Sequence, residues 1–126
     1  MINGAHVLLY SKDPDADRAF FKNVLQWKNV DVGGGWLIFK LPPSEVAVHP
    51  LDGASAQRHA GHEMIGAVLY LMCDNLDATL KALDAQRVKH TEIEKESWGM
   101  RTTVVLPSGG EVGLYQPSHP TATGLD

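Results

Sequence analysis

A chain of 126 residues, 44% hydrophobic and 21% charged, is long enough for one domain with its own core and ordinary for a globular protein. Its formal charge of −4 and pI near 5.8, with Lys and Arg scattered, give no electrostatic reason to expect nucleic acid or an anionic membrane as partner. The single cysteine, Cys73, excludes an internal disulfide and a paired-cysteine metal motif, and its place in the apolar run VLYLMCD reads as a small buried hydrophobe.

The opening MINGAHVLLYSKD lacks a basic segment and an A-x-A cleavage pattern, and no apolar run reaches the roughly 18 residues of a membrane helix, so a cytoplasmic protein is expected. VLLYS reads as a strand. Asp13 then Pro14 form a cap and a first helical residue, Asp15 and Asp17 suit the positive end of the dipole, and Ala16, Ala19, Phe20 and Val24 recur at helical spacing. NVDV is a strand ended by the tight turn that Gly33-Gly34-Gly35 permits. WLIFKL and EVAVHP follow as a hairpin around Pro42-Pro43, and Leu51–Glu63, rich in small and polar residues, reads as a linker. In the second half VLYLMC is a strand, Asn75 caps a helix with the stripe Leu76, Leu80 and Leu83, and three strands follow: KHTEIEKE, RTTVVL and EVGLYQ. The last two are joined by Pro107-Ser108-Gly109-Gly110, and the tail from Ser118 reads as frayed.

The halves repeat. GAHVLLYSKDPDA lies over GAVLYLMCDNLDA without a gap, and LPPSEVAV lies over LPSGGEVGL with one inserted residue. The expected fold is therefore α+β, a single domain over 1–126: one βαβββ module over 3–50, a linker over 51–63, a second module over 64–117 and a tail over 118–126. Alternation gives each strand a Val/Leu row (Val7 and Leu9, Val46 and Val48, Leu69 and Leu71, Val112 and Leu114) to pack on the helices. The opposite rows carry His6, Leu8 and Tyr10; Glu45, Ala47 and His49; Val68, Tyr70 and Met72; and Glu111, Gly113 and Tyr115. If the sheet curves, these rows line a cleft whose mostly apolar walls suit a small molecule.

The duplicated order, with GAHVLLYSKDPDADRAFFKNVLQW, GGGWLIFKLPPSEVAVHP and WGMRTTVVLPSGGEVGLYQP, resembles the vicinal oxygen chelate superfamily of glyoxalase I, bleomycin-resistance proteins, fosfomycin-resistance proteins and extradiol dioxygenases. The resemblance covers roughly Asn3 to Pro117 and implies two βαβββ modules forming a curved mixed sheet around a cleft, commonly in a homodimer, with the cleft within one chain or between two. It further implies metal ligands at four equivalent strand positions, which here are His6, Ala47, Val68 and Gly113, and only His6 can ligate. A substitute set takes His6 and His49 as ligands, with Glu45 or Glu111 as third ligand or general base, and suits Fe, Mn, Ni or Zn; His62-Glu63 is a weaker source. Trp36, Tyr70, Trp98 and Tyr115 with Arg101 are read as an aromatic cup for a planar ligand. His59, His62, His90 and His119 are expected in solvent.

A dinucleotide loop, a phosphate-binding loop and a nucleophile elbow are all missing from the motifs. Two functions remain. One is a binder of a small aromatic molecule that, with a divalent metal, performs lyase, isomerase or dioxygenase chemistry. The other is a metal-free protein that sequesters a drug or metabolite, with the net negative charge leaning toward a cationic one.

Overall fold

The computed structural model describes Met1, residues 4–50 and residues 56–125. Two ten-residue helices anchor the architecture. Helix α1 (Pro14–Asn23) begins where the Asp13 carboxylate accepts from the Ala16 N–H at 3.2 Å, with Pro14 in the first turn, where its missing N–H costs nothing. Helix α2 (Leu76–Ala85) is capped in the same way by Asn75, which accepts from the Ala78 N–H at 3.0 Å. A second acceptor, the Gln116 side-chain carbonyl, takes the Leu76 N–H at 2.9 Å and ties the helix start to the sheet.

The second half is a complete four-stranded sheet in the order β5-β8-β7-β6. Strand β5 (Tyr70–Met72) runs parallel to β8 (Glu111–Pro117) with Tyr70 opposite Gly113 and Leu71 opposite Leu114. Strand β7 (Gly99–Val105) is antiparallel to β8 and to β6 (Glu94–Glu96). Here the expected alternation holds. Val112 and Leu114 are buried with Leu76, Leu80, Leu83, Val104 and Leu106, and Leu69 and Leu71 pack against them. Each such side chain contributes about 1.5–3 kcal/mol on burial, so this cluster, with Phe20 and Phe21 of α1, is the core of the molecule.

The first half differs from expectation. Its hairpin is β1 (Asn29–Asp31) with β2 (Leu37–Phe39), turned by Gly33, Gly34 and Gly35, all at positive φ, and not a hairpin around Pro42-Pro43. Neither 5–10 nor 45–49 lies in a ladder, and the rows expected to pack inward do not: Val46 is 91% and Val48 97% exposed, and Val7 and Leu9 are about half exposed. An alternating pattern specifies a strand's faces but not its neighbour, and among the described residues these segments have found none. What holds this half is α1: Phe21 stacks on Trp27 with centroids 5.0 Å apart and meets Phe39 of β2 edge-on at 5.6 Å.

The span read as linker carries a second hairpin, β3 (Gln57–His59) with β4 (His62–Met64), closed by Ala60 and Gly61 at positive φ, the backbone of a two-residue hairpin turn. Linker residues 51–55, Ile2, Asn3 and Asp126 lie outside the described residues. Among the described residues no helix is long and apolar enough to cross a membrane.

Candidate functional site

A half-open hollow of about 1100 Å³ lies between residues 5–11, strand β2 and the adjoining ends of β5 and β8. Its aromatic walls are Tyr10, Trp36 and Tyr70, with Leu8, Ile38 and Val68 between them. The β3–β4 hairpin lies along its edge, held there by a 2.7 Å bond between the Tyr10 hydroxyl and His59 Nδ1. Arg18 projects from α1 over the Trp36 ring, 4.8 Å from its centre, while bonding Asp15 at 3.1 Å. Arg18 and Lys40 share the lining with Glu111 and with Asp17, whose carboxylate is already bonded, so aromatic faces dominate over any one sign of charge.

Tyr70 owes its position to Gly113. The two are register partners, and a methyl group added at residue 113 would run into the Tyr70 ring. Behind Tyr70 stand Trp98 and Tyr115, the three rings meeting pairwise edge-to-face with centroids 5.3–5.8 Å apart. Such a cluster is filled by its own rings. It leaves the exposed side of Tyr70 as the stacking surface.

His119 closes the far side, stacked on Tyr115 and bonded to its hydroxyl at 2.9 Å. His119 Nδ1 donates to the Pro120 carbonyl at 2.8 Å, so Nε2 of the neutral ring accepts and the phenol donates. Burial raises the Tyr115 pKa above 10.0, with Glu45 and Tyr70 adding to the effect, and so keeps the phenol protonated. Arg101, the register partner of Tyr115, is held by two carboxylates, Glu94 at 2.6 Å and Glu96 at 3.0 Å, which raise its pKa and neutralise the cation expected in the cup.

The predicted residues therefore separate into groups. Tyr70, Trp98, Tyr115 and Arg101 come together. Trp36 is in the hollow but pairs with Arg18 instead. His6 and Glu111 are exposed residues of the lining. His49 is exposed and turned onto the carbonyl of its neighbour Pro50 at 2.8 Å, and Glu45 accepts from the Ala122 N–H at 2.8 Å. Among the described residues no three His, Cys, Asp or Glu side chains gather as metal donors. As arranged in one chain, His6 and His49 with Glu45 or Glu111 do not fit an ion.

Sequence reading missed several contributors. Three of the four histidines expected in solvent have partners: His59 on Tyr10, His119 on Tyr115, and His90 between the Thr91 carbonyl and Asp84, both at 2.8 Å; His62 is exposed as expected. Tyr10 had a signal, since it shares strand parity with His6. Arg18 had none, because helical spacing does not reveal an aromatic neighbour on another element. Cys73 packs half-buried against the core as expected, and that burial raises its thiol pKa.

Several solved structures share this fold. The antibiotic binding protein TnmS3 from Streptomyces sp. CB03234 is 22% identical, with 94% of this chain and 100% of that one covered and a TM-score of 0.59. A lactoylglutathione lyase from Agrobacterium tumefaciens is 15% identical, with 90% and 92% covered and a TM-score of 0.60. An integron cassette protein from the mobile metagenome of V. cholerae is 21% identical, with 92% and 98% covered and a TM-score of 0.54. No curated protein matches the chain. Residues 4–114, nearly all of both halves, match one family along their length, and the chain belongs to the Glyoxalase/Bleomycin resistance protein/Dioxygenase superfamily.

Proposed function

We propose that this protein binds a small, planar aromatic molecule in the hollow beside Tyr70, on a single domain made of two βαβββ modules. The observation that supports it most is the Tyr70 ring itself. It is seated on Gly113 and backed by Trp98 and Tyr115, so its orientation is fixed before any ligand arrives. Preorganisation of this kind lowers the ordering cost of binding. Trp36, steadied by Arg18, offers a second aromatic face across the same hollow. The antibiotic-binding activity named for the Streptomyces structure agrees with this reading.

Sequestration without chemistry is favoured over catalysis. Among the described residues the donors that would hold a divalent ion do not gather, and the carboxylates that could serve as base, Glu45 and Glu111, are exposed.

The test is tryptophan fluorescence during titration with a panel of planar aromatic compounds, cationic and neutral. Binding is expected to quench or shift Trp36 emission, and Tyr70→Ala is expected to weaken it by roughly tenfold, the equivalent of about 1.4 kcal/mol of stacking. A panel without response, or a Tyr70→Ala protein that binds as well as the parent, overturns the assignment.

A further inference from the structure

Arg18 is a charged group of the hollow that is aimed before any ligand arrives. Its guanidinium sits over the Trp36 ring, 4.8 Å from the centre, and its side chain is only 21% exposed. Attraction between the cation and the face of the indole keeps it there. A guanidinium carries five N–H donors in one plane. Nη1 bonds Asp15 at 3.1 Å, while Nε and Nη2 have no protein acceptor among the described residues. The Asp15 side chain is 94% exposed, so water competes for it and that ion pair is weak. A carboxylate brought into the hollow can take the remaining edge in the two-bond fork that guanidinium and carboxylate form.

The acids of the lining do not cancel this cation. Asp17 is buried, and its oxygens already accept from the Ser11 hydroxyl and from the Ser108 N–H and hydroxyl. Glu111 lies on β8 two residues before Gly113, the glycine that seats Tyr70, or roughly 7 Å along the strand. An acid group turned toward Glu111 is therefore repelled, and one turned toward Arg18 is attracted. Lys40 extends the positive side: Trp36, Ile38 and Lys40 alternate along one row of the lining, with Lys40 roughly 13 Å beyond Trp36 at about 3.3 Å per residue. The formal charge of −4 favours a cation only at a distance. It is spread over the whole chain and screened within about 8–10 Å in ordinary salt. A group bound in the hollow meets Arg18 at contact.

We propose that the hollow selects planar aromatic acids, with the ring stacked on the aromatic walls and the carboxylate held by Arg18. This rests on the reading that the hollow binds a planar aromatic molecule, and adds the charge that molecule carries and the direction in which it lies. Arg18 is then the specificity-determining residue of the site. A neutral ligand of the same shape shields the guanidinium from water and leaves its donors without a charged partner, and an ammonium in the same place meets a like charge.

The test is calorimetric titration of the full chain with three probes built on one ring system: naphthoate, naphthylmethanol and naphthylmethylammonium. At low salt naphthoate is expected to bind about tenfold or more tightly than the alcohol, with the ammonium weakest. Added salt is expected to narrow the gap. Arg18→Gln is expected to bring the naphthoate-to-alcohol affinity ratio to about one, and Arg18→Lys, which keeps the charge without the fork, to leave an intermediate ratio. Alcohol or ammonium bound as tightly as naphthoate overturns the acid specificity and leaves the aromatic site standing, and so does an Arg18→Gln protein that keeps the full preference for naphthoate. Binding of none of the three probes by the parent chain overturns the aromatic reading and the acid specificity together.

Discussion

The carboxylate of Asp17, in the first turn of α1, accepts from both the backbone N–H of Ser108 at 3.0 Å and the Ser108 hydroxyl at 2.7 Å, across 91 residues of sequence. The same carboxylate takes the Ser11 hydroxyl at 2.6 Å and is 6% exposed. One buried carboxylate therefore joins the segment before α1, α1 itself and the β7–β8 turn. Hydrogen bonds to a charged group contribute about 1.5–3 kcal/mol each, and stranding their buried donors costs further. Asp17→Ala is expected to lower unfolding free energy by about 2–4 kcal/mol, and Ser108→Ala by about 1 kcal/mol, in urea titrations at neutral pH. A loss within about 0.5 kcal/mol for Asp17→Ala would mean the junction is incidental.

Tyr70 over Gly113 supports a second prediction. A Gly113→Ala methyl enters space held by the phenol ring, so the ring has to swing away from Trp98 and Tyr115. The two T-shaped contacts it would leave are worth about 0.5–1.5 kcal/mol each. The expected result is a loss of about 1–3 kcal/mol in stability together with a fall in affinity for any aromatic ligand comparable to that of Tyr70→Ala. Equal ligand affinity in Gly113→Ala and the parent would separate the ring's position from binding.

How much of this was readable beforehand follows from which interactions are local. Both helices were legible because their caps, Asp13 with Pro14 and Asn75, act within three residues of themselves. The inward row of the second half was legible because Val112 and Leu114 do find α2. Val46 and Val48 carry the same alternation, yet a period of two cannot say which strand lies alongside, and both are exposed. The β3–β4 hairpin was hidden because Gln-Arg-His-Ala-Gly-His-Glu has almost no apolar alternation, and its signal was the Ala60-Gly61 turn alone. Asp17 read as a dipole-favouring acid; its bond to Ser108 is tertiary and no local pattern encodes it. At the site, parity placed Tyr70 and Tyr115 on one face, whereas the Arg18–Trp36 contact and the carboxylates on Arg101 depend on register.

The Tyr10–His59 bond predicts a proteolysis phenotype. Tyr10 and His59 are both exposed, so the bond adds about 0.5–1 kcal/mol to holding the hairpin edge over the hollow, and Arg58 within that hairpin is a trypsin site. Tyr10→Phe is expected to leave global stability within about 1 kcal/mol and to raise the rate of cleavage after Arg58 by roughly two- to fivefold, because only the local opening is affected. Unchanged cleavage at Arg58 would show that the hairpin is held by its own ladder.

His90 gives a pH dependence whose sign can be worked out. Its Nδ1 donates to the Thr91 carbonyl, and its Nε2 faces the Asp84 carboxylate, which can only accept, so both ring nitrogens carry protons and the imidazolium is the bonded form. The Thr91 carbonyl chiefly raises the pKa above 6.5; burial opposes it, and the hydrogen bond and charge of Asp84 add to the rise. With the folded pKa above the unfolded one, the imidazolium's contribution is fully present below 6.5 and is lost as pH rises through the folded value. His90→Gln should therefore destabilise the protein relative to the parent more at about pH 5.5 than at about pH 9, where the neutral ring retains only one donated bond. Urea denaturation of both proteins at the two pH values measures this directly. A His90→Gln penalty that is constant, or larger at the alkaline end, would show that the protonated ring does not brace α2 against Thr91.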